Sequence, residues 1–100
     1  MNPPTFQQFE DTARSQGFDE VLERSWPADT VLDTHSHPFS VSARVVEGGF
    51  WLTVGEQTLH LQAGDNFTLE ADVPHAERYG AQGARYWVAR RNRPTPSAGG

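Results

Sequence analysis

Two hydrophobic periods run along this 100-residue chain. Near the start, Phe6, Phe9 and Ala13 recur at helical spacing, which gathers them into one apolar stripe. Thr5 followed by Gln8 fits a capping box, in which the Thr hydroxyl serves the N3 amide and the Gln side chain reaches back to the N-cap amide. Gly17 supplies a stop. The spacing predicts a short amphipathic helix over 5–16, within an N-terminal segment 1–19, that covers one end or edge of a sheet.

From Glu20 the period falls to two, so alternate side chains share a face. Val21 to Trp26 reads as a strand ended by Pro27, and Thr30 to His37 as another stopped by Pro38. Val41, Ala43 and Val45 share one face of the next run; Phe50, Leu52 and Val54 share one face of the run after it. Gly48-Gly49 predicts a turn between those two runs. Gly55-Glu56 predicts a tight hairpin turn into Gln57 to Leu61. Beyond Ala63-Gly64-Asp65 come Asn66 to Leu69, a loop through Pro74, a turn at Gly80 to Gly83, and a last strand from Ala84 to Ala89. Many short strands with Gly-rich turns predict an all-β sandwich or barrel over residues 20–91. Residues 92–100, with Pro94, Pro96 and two terminal glycines, read as a disordered tail.

Composition narrows the chemistry. The length is that of one domain. The chain has no cysteine, which excludes disulfides, thiolate catalysis and cysteine zinc sites. A net charge of -5 argues against nucleic acid or an anionic membrane as partner. The start has no basic region followed by an apolar run, and no stretch approaches the roughly 20 apolar residues of a membrane span. The expectation is a soluble, cytoplasmic protein.

The chemistry-bearing residues cluster at Asp33-Thr34-His35-Ser36-His37-Pro38. In an extended strand His35 and His37 point the same way, aiming two imidazoles at one point as a metal ion requires. A third histidine, His75, follows in Val73-Pro74-His75. His60 alternates with Leu59 and Leu61, so it faces away from the core and receives no role. If the chain is extended after Pro74, then His75, Glu77 and Tyr79 share a face. Glu77 is then a partner of the ligands or a general acid/base, with Tyr79 beside it; the alternative is a surface glutamate. Trp51 and Trp87 are left open among core, dimer contact and pocket wall.

These residues resemble the two motifs of the cupin superfamily. The first reads Gly-x5-His-x-His-x3–4-Glu-x6-Gly; His35, His37 and Gly48 match it, while Asp29 stands at the first glycine and Val41 at the glutamate. The second reads Gly-x5-Pro-x-Gly-x2-His-x3-Asn; Gly64 and His75 match, while Glu70, Asp72 and Tyr79 replace the proline, the second glycine and the asparagine. The resemblance covers roughly residues 20–90 and implies a double-stranded β-helix, or jelly-roll barrel, with a metal between its sheets. In that family three histidines and the glutamate hold a divalent ion. With Val41 at the glutamate position, and Ser42 one residue on, the resemblance leaves His35, His37 and His75 as ligands for iron, zinc, nickel or manganese. Phe39, Val41, Phe50 and Leu52 would line an apolar pocket around it. Three neutral ligands would leave the site a charge of +2, favouring an anionic small molecule. The implied function is a metal-dependent dioxygenase, or a metal-assisted hydrolase or isomerase, on such a molecule. A ligand-binding sensor module without catalysis is the alternative. A homodimer through the Val21 to Trp26 edge is the expected assembly.

Overall fold

Thr5 caps the N-terminal helix as the sequence predicts: its side chain accepts from the Gln8 amide at 3.1 Å, and Gln8 Oε1 accepts from the Thr5 amide at 2.9 Å. The computed structural model describes residues 4–92. Helix α1 (Phe6–Ser15) lays Phe6 and Phe9 against the Trp87 ring, at centroid distances of 5.7 and 5.8 Å, and buries Ala13. Trp87 therefore lies under the helix, on the outer face of the last strand.

Six strands follow, all paired antiparallel: β1 (Glu20–Trp26), β2 (Val31–His35), β3 (Phe39–Val54), β4 (Gln57–Gln62), β5 (Asn66–Leu69) and β6 (His75–Asn92). The long strands β3 and β6 pair with each other from Phe39↔Asn92 to Thr53↔Ala76 and carry the rest. Near the Asn92 end, β1 flanks β6 and β5 flanks β3; near the Ala76 end, β2 flanks β6 and β4 flanks β3. The result is two four-stranded layers sharing two bent strands, an all-β jelly-roll barrel. The core lies between the layers, with Val45 and Phe50 fully buried.

Two turns predicted from glycine are corrected. Gly48-Gly49 lies inside β3 and Gly80 to Gly83 inside β6. The β3–β6 register shifts between Val45 and Glu47 and again between Gly48 and Phe50. In β3 the inward set changes from odd positions (Val41, Ala43, Val45) to even ones (Phe50, Leu52). In β6 it changes from His75 and Tyr79 to Ala84, Tyr86 and Val88. Bulges do this, since displacing a strand by one residue exchanges its faces. Glycine is required there by close approach: a Cβ on Gly48 (φ +70°) would stand 2.1 Å from the Gly83 carbonyl oxygen, and one on Gly83 (φ +65°) 2.3 Å from that of Trp26.

One smaller point also differs from expectation. Asn92 ends β6 instead of beginning a tail, its amide donating to Asp19 Oδ1 at 3.1 Å; the remainder of that predicted tail lies outside the described residues. The apolar residues of β1 assigned to a dimer contact, Leu22 and Trp26, pack against the chain's own core, leaving Val21 and the strand's unpaired edge. Among the described residues no helix is long and apolar enough to cross a membrane.

Candidate metal centre

His35 ends β2 because Pro38, close behind, cannot extend a ladder and restricts the residue before it. His75 begins β6, and the two are register partners. A register shift between Leu32 and His35 turns both side chains toward the same interior, where simple alternation would oppose them. The turn before β6 contains Asp72 at φ 66°, whose amide donates to the His37 carbonyl at 2.8 Å and so ties the His37 loop to the His75 strand. Asp29 also has positive φ, 61°. Both stand where the cupin pattern has glycine, and aspartate is among the few other residues that tolerate this conformation.

All three histidine rings are oriented alike. Nδ1 of His35 lies 2.7 Å from the Asp33 carbonyl oxygen, that of His75 2.9 Å from Val73 and that of His37 3.2 Å from Phe39. A carbonyl only accepts, so each Nδ1 carries the hydrogen and each Nε2 keeps its lone pair for another partner. The rings of His35 and His75 are 4.4 Å apart.

Glu77 is the third donor gathered at this point. Glu77 Oε2 lies 3.5 Å from His35 Nε2 and 3.7 Å from His75 Nε2, and its side chain is only 10% exposed. Donor atoms of His35, His75 and Glu77 all lie within 4.8 Å of one another. His37 follows the end of β2, so the same-face geometry of a continuous strand does not apply to it. Its ring stacks on Phe39, 4.2 Å between centroids at 4°, and sits 6.4 Å from that of His35 but 4.9 Å from that of His75, so it stands at the edge of the cluster. Burial holds the His37 imidazole below its ordinary pKa, its bond to the Phe39 carbonyl opposing that effect.

Tyr79 donates its hydroxyl hydrogen to Glu77 Oε1. Behind it the Tyr86 hydroxyl lies 3.4 Å away and accepts from Trp26 Nε1 at 3.0 Å. Burial pushes the Tyr79 phenol far above its usual range, with Tyr86 and Glu77 adding to the rise, and burial likewise raises Tyr86. Tyr79 is therefore a permanent donor. It is 1% exposed, and its hydroxyl holds Glu77 from behind.

The cluster opens into a pocket of about 320 Å³. Phe39 and Val41 line it together with Leu32, Phe67, Leu69 and Val88. Phe50 and Leu52, expected in that wall, are instead core: Phe50 stacks on Tyr79 at 4.8 Å and meets Phe67 edge-on at 5.6 Å, behind the pocket. Trp51 and His60 stack on each other, 4.4 Å apart at 5°, well separated in role from this cluster. Sequence reasoning missed Arg24 and Arg90, which also line the pocket. The available signal was phase: Arg24 alternates with Leu22 and Trp26, and Arg90 with Tyr86 and Val88.

The donor set suits a divalent ion. Two ligands on one four-coordinate ion at bonds of ~2.1 Å stand about 3.4 Å apart, close to the His–Glu separations here. A buried carboxylate also needs positive charge, and among the described residues the only basic groups paired with Glu77 are two imidazoles.

Residues 22–84 match the family model Cupin_2, described as a cupin domain. No curated protein sequence matches the chain. Solved structures share the fold. DMSP lyase DddQ from Ruegeria pomeroyi DSS-3 has a TM-score of 0.68 at 20% identity, over 77% of this chain and 40% of that one. An RmlC-like cupin from Shewanella frigidimarina NCIMB 400 has 0.62 at 24%, over 74% and 67%. KdgF from Halomonas sp. has 0.62 at 17%, over 74% and 69%. The chain thus spans well under half of the DddQ chain.

Proposed function

The chain belongs to the Cupin_2 family of cupin domains, and from that premise we propose a metal-dependent enzyme acting on a small anionic molecule. His35, His75 and Glu77 would hold one divalent transition ion, iron, zinc, nickel or manganese, with His37 at its margin. The observation that carries this reading is the convergence of two Nε2 lone pairs and a buried carboxylate at a pocket. The carboxylate absent from position 41 is replaced in function by one two residues beyond His75. Such a ligand set would carry a net charge of +1, where three histidines alone would leave +2.

A bound ion supplies Lewis acidity, polarising a substrate oxygen or lowering the pKa of water. The chain's own residues do the rest. Tyr79 holds Glu77 Oε1 so that Oε2 faces the histidines, and the backbone carbonyls of Asp33 and Val73 hold the His35 and His75 rings. Leu32, Phe39, Val41 and Val88 give the pocket apolar walls that suit the carbon skeleton of a small molecule. Lyases among the structural neighbours support an enzymatic reading; dioxygenase, hydrolase and isomerase chemistry are the candidate reactions.

Elemental analysis and metal titration of protein purified without a histidine tag test the proposal. One equivalent of divalent metal is expected, lost in His75→Ala and kept in His60→Ala. Protein that takes up no metal would overturn it and leave the ligand-binding module as the better reading.

A further inference from the structure

All eight basic residues of this acidic chain are arginines. Of the seven described, three are tied down at the surface by oxygens: Arg14 by Glu10, Arg85 by Glu23 and Glu47, Arg91 by the carbonyls of Gln16 and Gly17. Arg24 and Arg90 differ in where they stand. β1 pairs β6 through Leu22↔Val88, Arg24↔Tyr86 and Glu20↔Arg90, so both arginines fall in the inward stripe that otherwise carries Leu22, Trp26, Tyr86 and Val88. Both line the pocket that holds His35, His75 and Glu77.

Neither guanidinium is saturated. Among the described residues no carboxylate pairs with Arg24. Arg90 reaches one, Glu20 Oε1, at 3.6 Å through Nη1, while its Nε is buried without an acceptor. Buried donors are ordinarily paired, so this one calls for an acceptor. Each arginine is also held over an aromatic ring: Arg24 lies 5.2 Å from the Trp26 centroid, and Arg90 4.6 Å from that of Phe39. Stacking of this kind fixes the plane of the fork before a ligand arrives. Planar forks with free N–H groups match a carboxylate.

We propose that Arg24 and Arg90 form an anion subsite in the pocket they share with the His35/His75/Glu77 cluster, so that the substrate is a small molecule with a carboxylate at one end and a second oxygen donor at the other. The inference rests on the metal-site reading for the second donor only; the arginine subsite stands on its own geometry.

The test uses zinc-loaded and metal-free protein with two kinds of probe: the dicarboxylates succinate, glutarate and adipate, and the monocarboxylate butyrate, each followed by NMR titration. In the zinc-loaded protein the best dicarboxylate should bind about tenfold more tightly than butyrate, the worth of one charge-assisted contact. Arg24→Gln and Arg90→Gln should each erase that advantage while zinc stoichiometry is kept. Arg90→Lys, which keeps charge without the fork, should lose most of it and serves if Arg90→Gln fails to fold. Equal binding of the two kinds of acid in wild type, or an advantage that survives Arg24→Gln and both Arg90 variants, overturns the subsite and leaves the metal reading intact. Conversely, arginine-dependent binding of butyrate to protein that takes up no zinc supports the subsite and sinks the metal reading instead.

Discussion

The Tyr79 hydroxyl donates to one oxygen of the Glu77 carboxylate, and the other oxygen then lies 3.5 Å from His35 Nε2 and 3.7 Å from His75 Nε2. One phenol thus decides which carboxylate lone pairs face the imidazoles. Tyr79→Phe keeps the ring that stacks on Phe50 and removes only the donor. Zinc affinity measured by calorimetry should fall about 10- to 100-fold, the usual cost of losing a group that orients a ligand, with the thermal transition still cooperative. Unchanged affinity would show that Glu77 needs no such partner.

Glu77→Gln should weaken metal binding at least as much, because it removes the site's only charge. Val41 is buried and lines the same pocket, where the family pattern has its glutamate. In a Glu77→Gln background, Val41→Glu should recover metal binding at a cost in metal-free stability of several kcal/mol, since an unpaired carboxylate is then buried. A double variant that binds no better than Glu77→Gln alone would show that position 41 no longer reaches the metal point.

Acid should weaken the metal-free protein through His37. Its folded pKa lies below the unfolded value of about 6.5, with burial the chief cause. As pH falls below that value the unfolded chain takes up a proton first, so stability drops there and is flat above it. Urea unfolding of wild type and His37→Gln between neutral pH and pH 5 should show a smaller acid loss in the variant; identical profiles would contradict the depressed pKa.

Backbone conformation predicts an order of stabilities at position 72. Asp72 is exposed at φ 66°. Asp72→Gly should be neutral or stabilising, whereas Asp72→Ala should cost about 1 kcal/mol, because alanine neither tolerates that conformation nor offers a side-chain acceptor. Chemical denaturation reads the difference, and alanine matching glycine would refute it.

Much of the fold was legible because local rules and tertiary packing agree. The Thr5 and Gln8 cap, the buried alternation of Val41, Ala43 and Val45, and the Gly55-Glu56 turn are each set by neighbours in sequence. What failed was set by contacts across the barrel. Gly48 and Gly83 look like turn residues, yet each is small because another strand's carbonyl stands where its Cβ would be. At the site, His35 and His75 stand where their motif positions suggested, near one another. That Glu77 would join them and His37 turn onto Phe39 depends on the end of β2, a boundary that periodicity alone does not resolve.

The same glycines set a sharper mutational contrast. Gly83→Ala should destabilise by about 3 kcal/mol or more, combining a strained φ with a backbone clash that no side-chain adjustment relieves. Gly55→Ala, at φ +61° with nothing within 4 Å, should cost only about 1 kcal/mol. Equal losses in thermal unfolding would mean that the bulge yields.

The ladder between β3 and β6 also governs how the molecule comes into being. Its inner end, Thr53↔Ala76, encloses only the β4 and β5 region, while its outer end, Phe39↔Asn92, joins positions far apart in the chain. Such non-local pairing makes folding slow, milliseconds to seconds, and favours zipping from the inner end outward. β2 docks on β6 only once the β6 strand exists, so His35 meets His75 and Glu77 late. Metal capture would then trail collapse, acting as a latch on a finished barrel and not as the seed around which it forms.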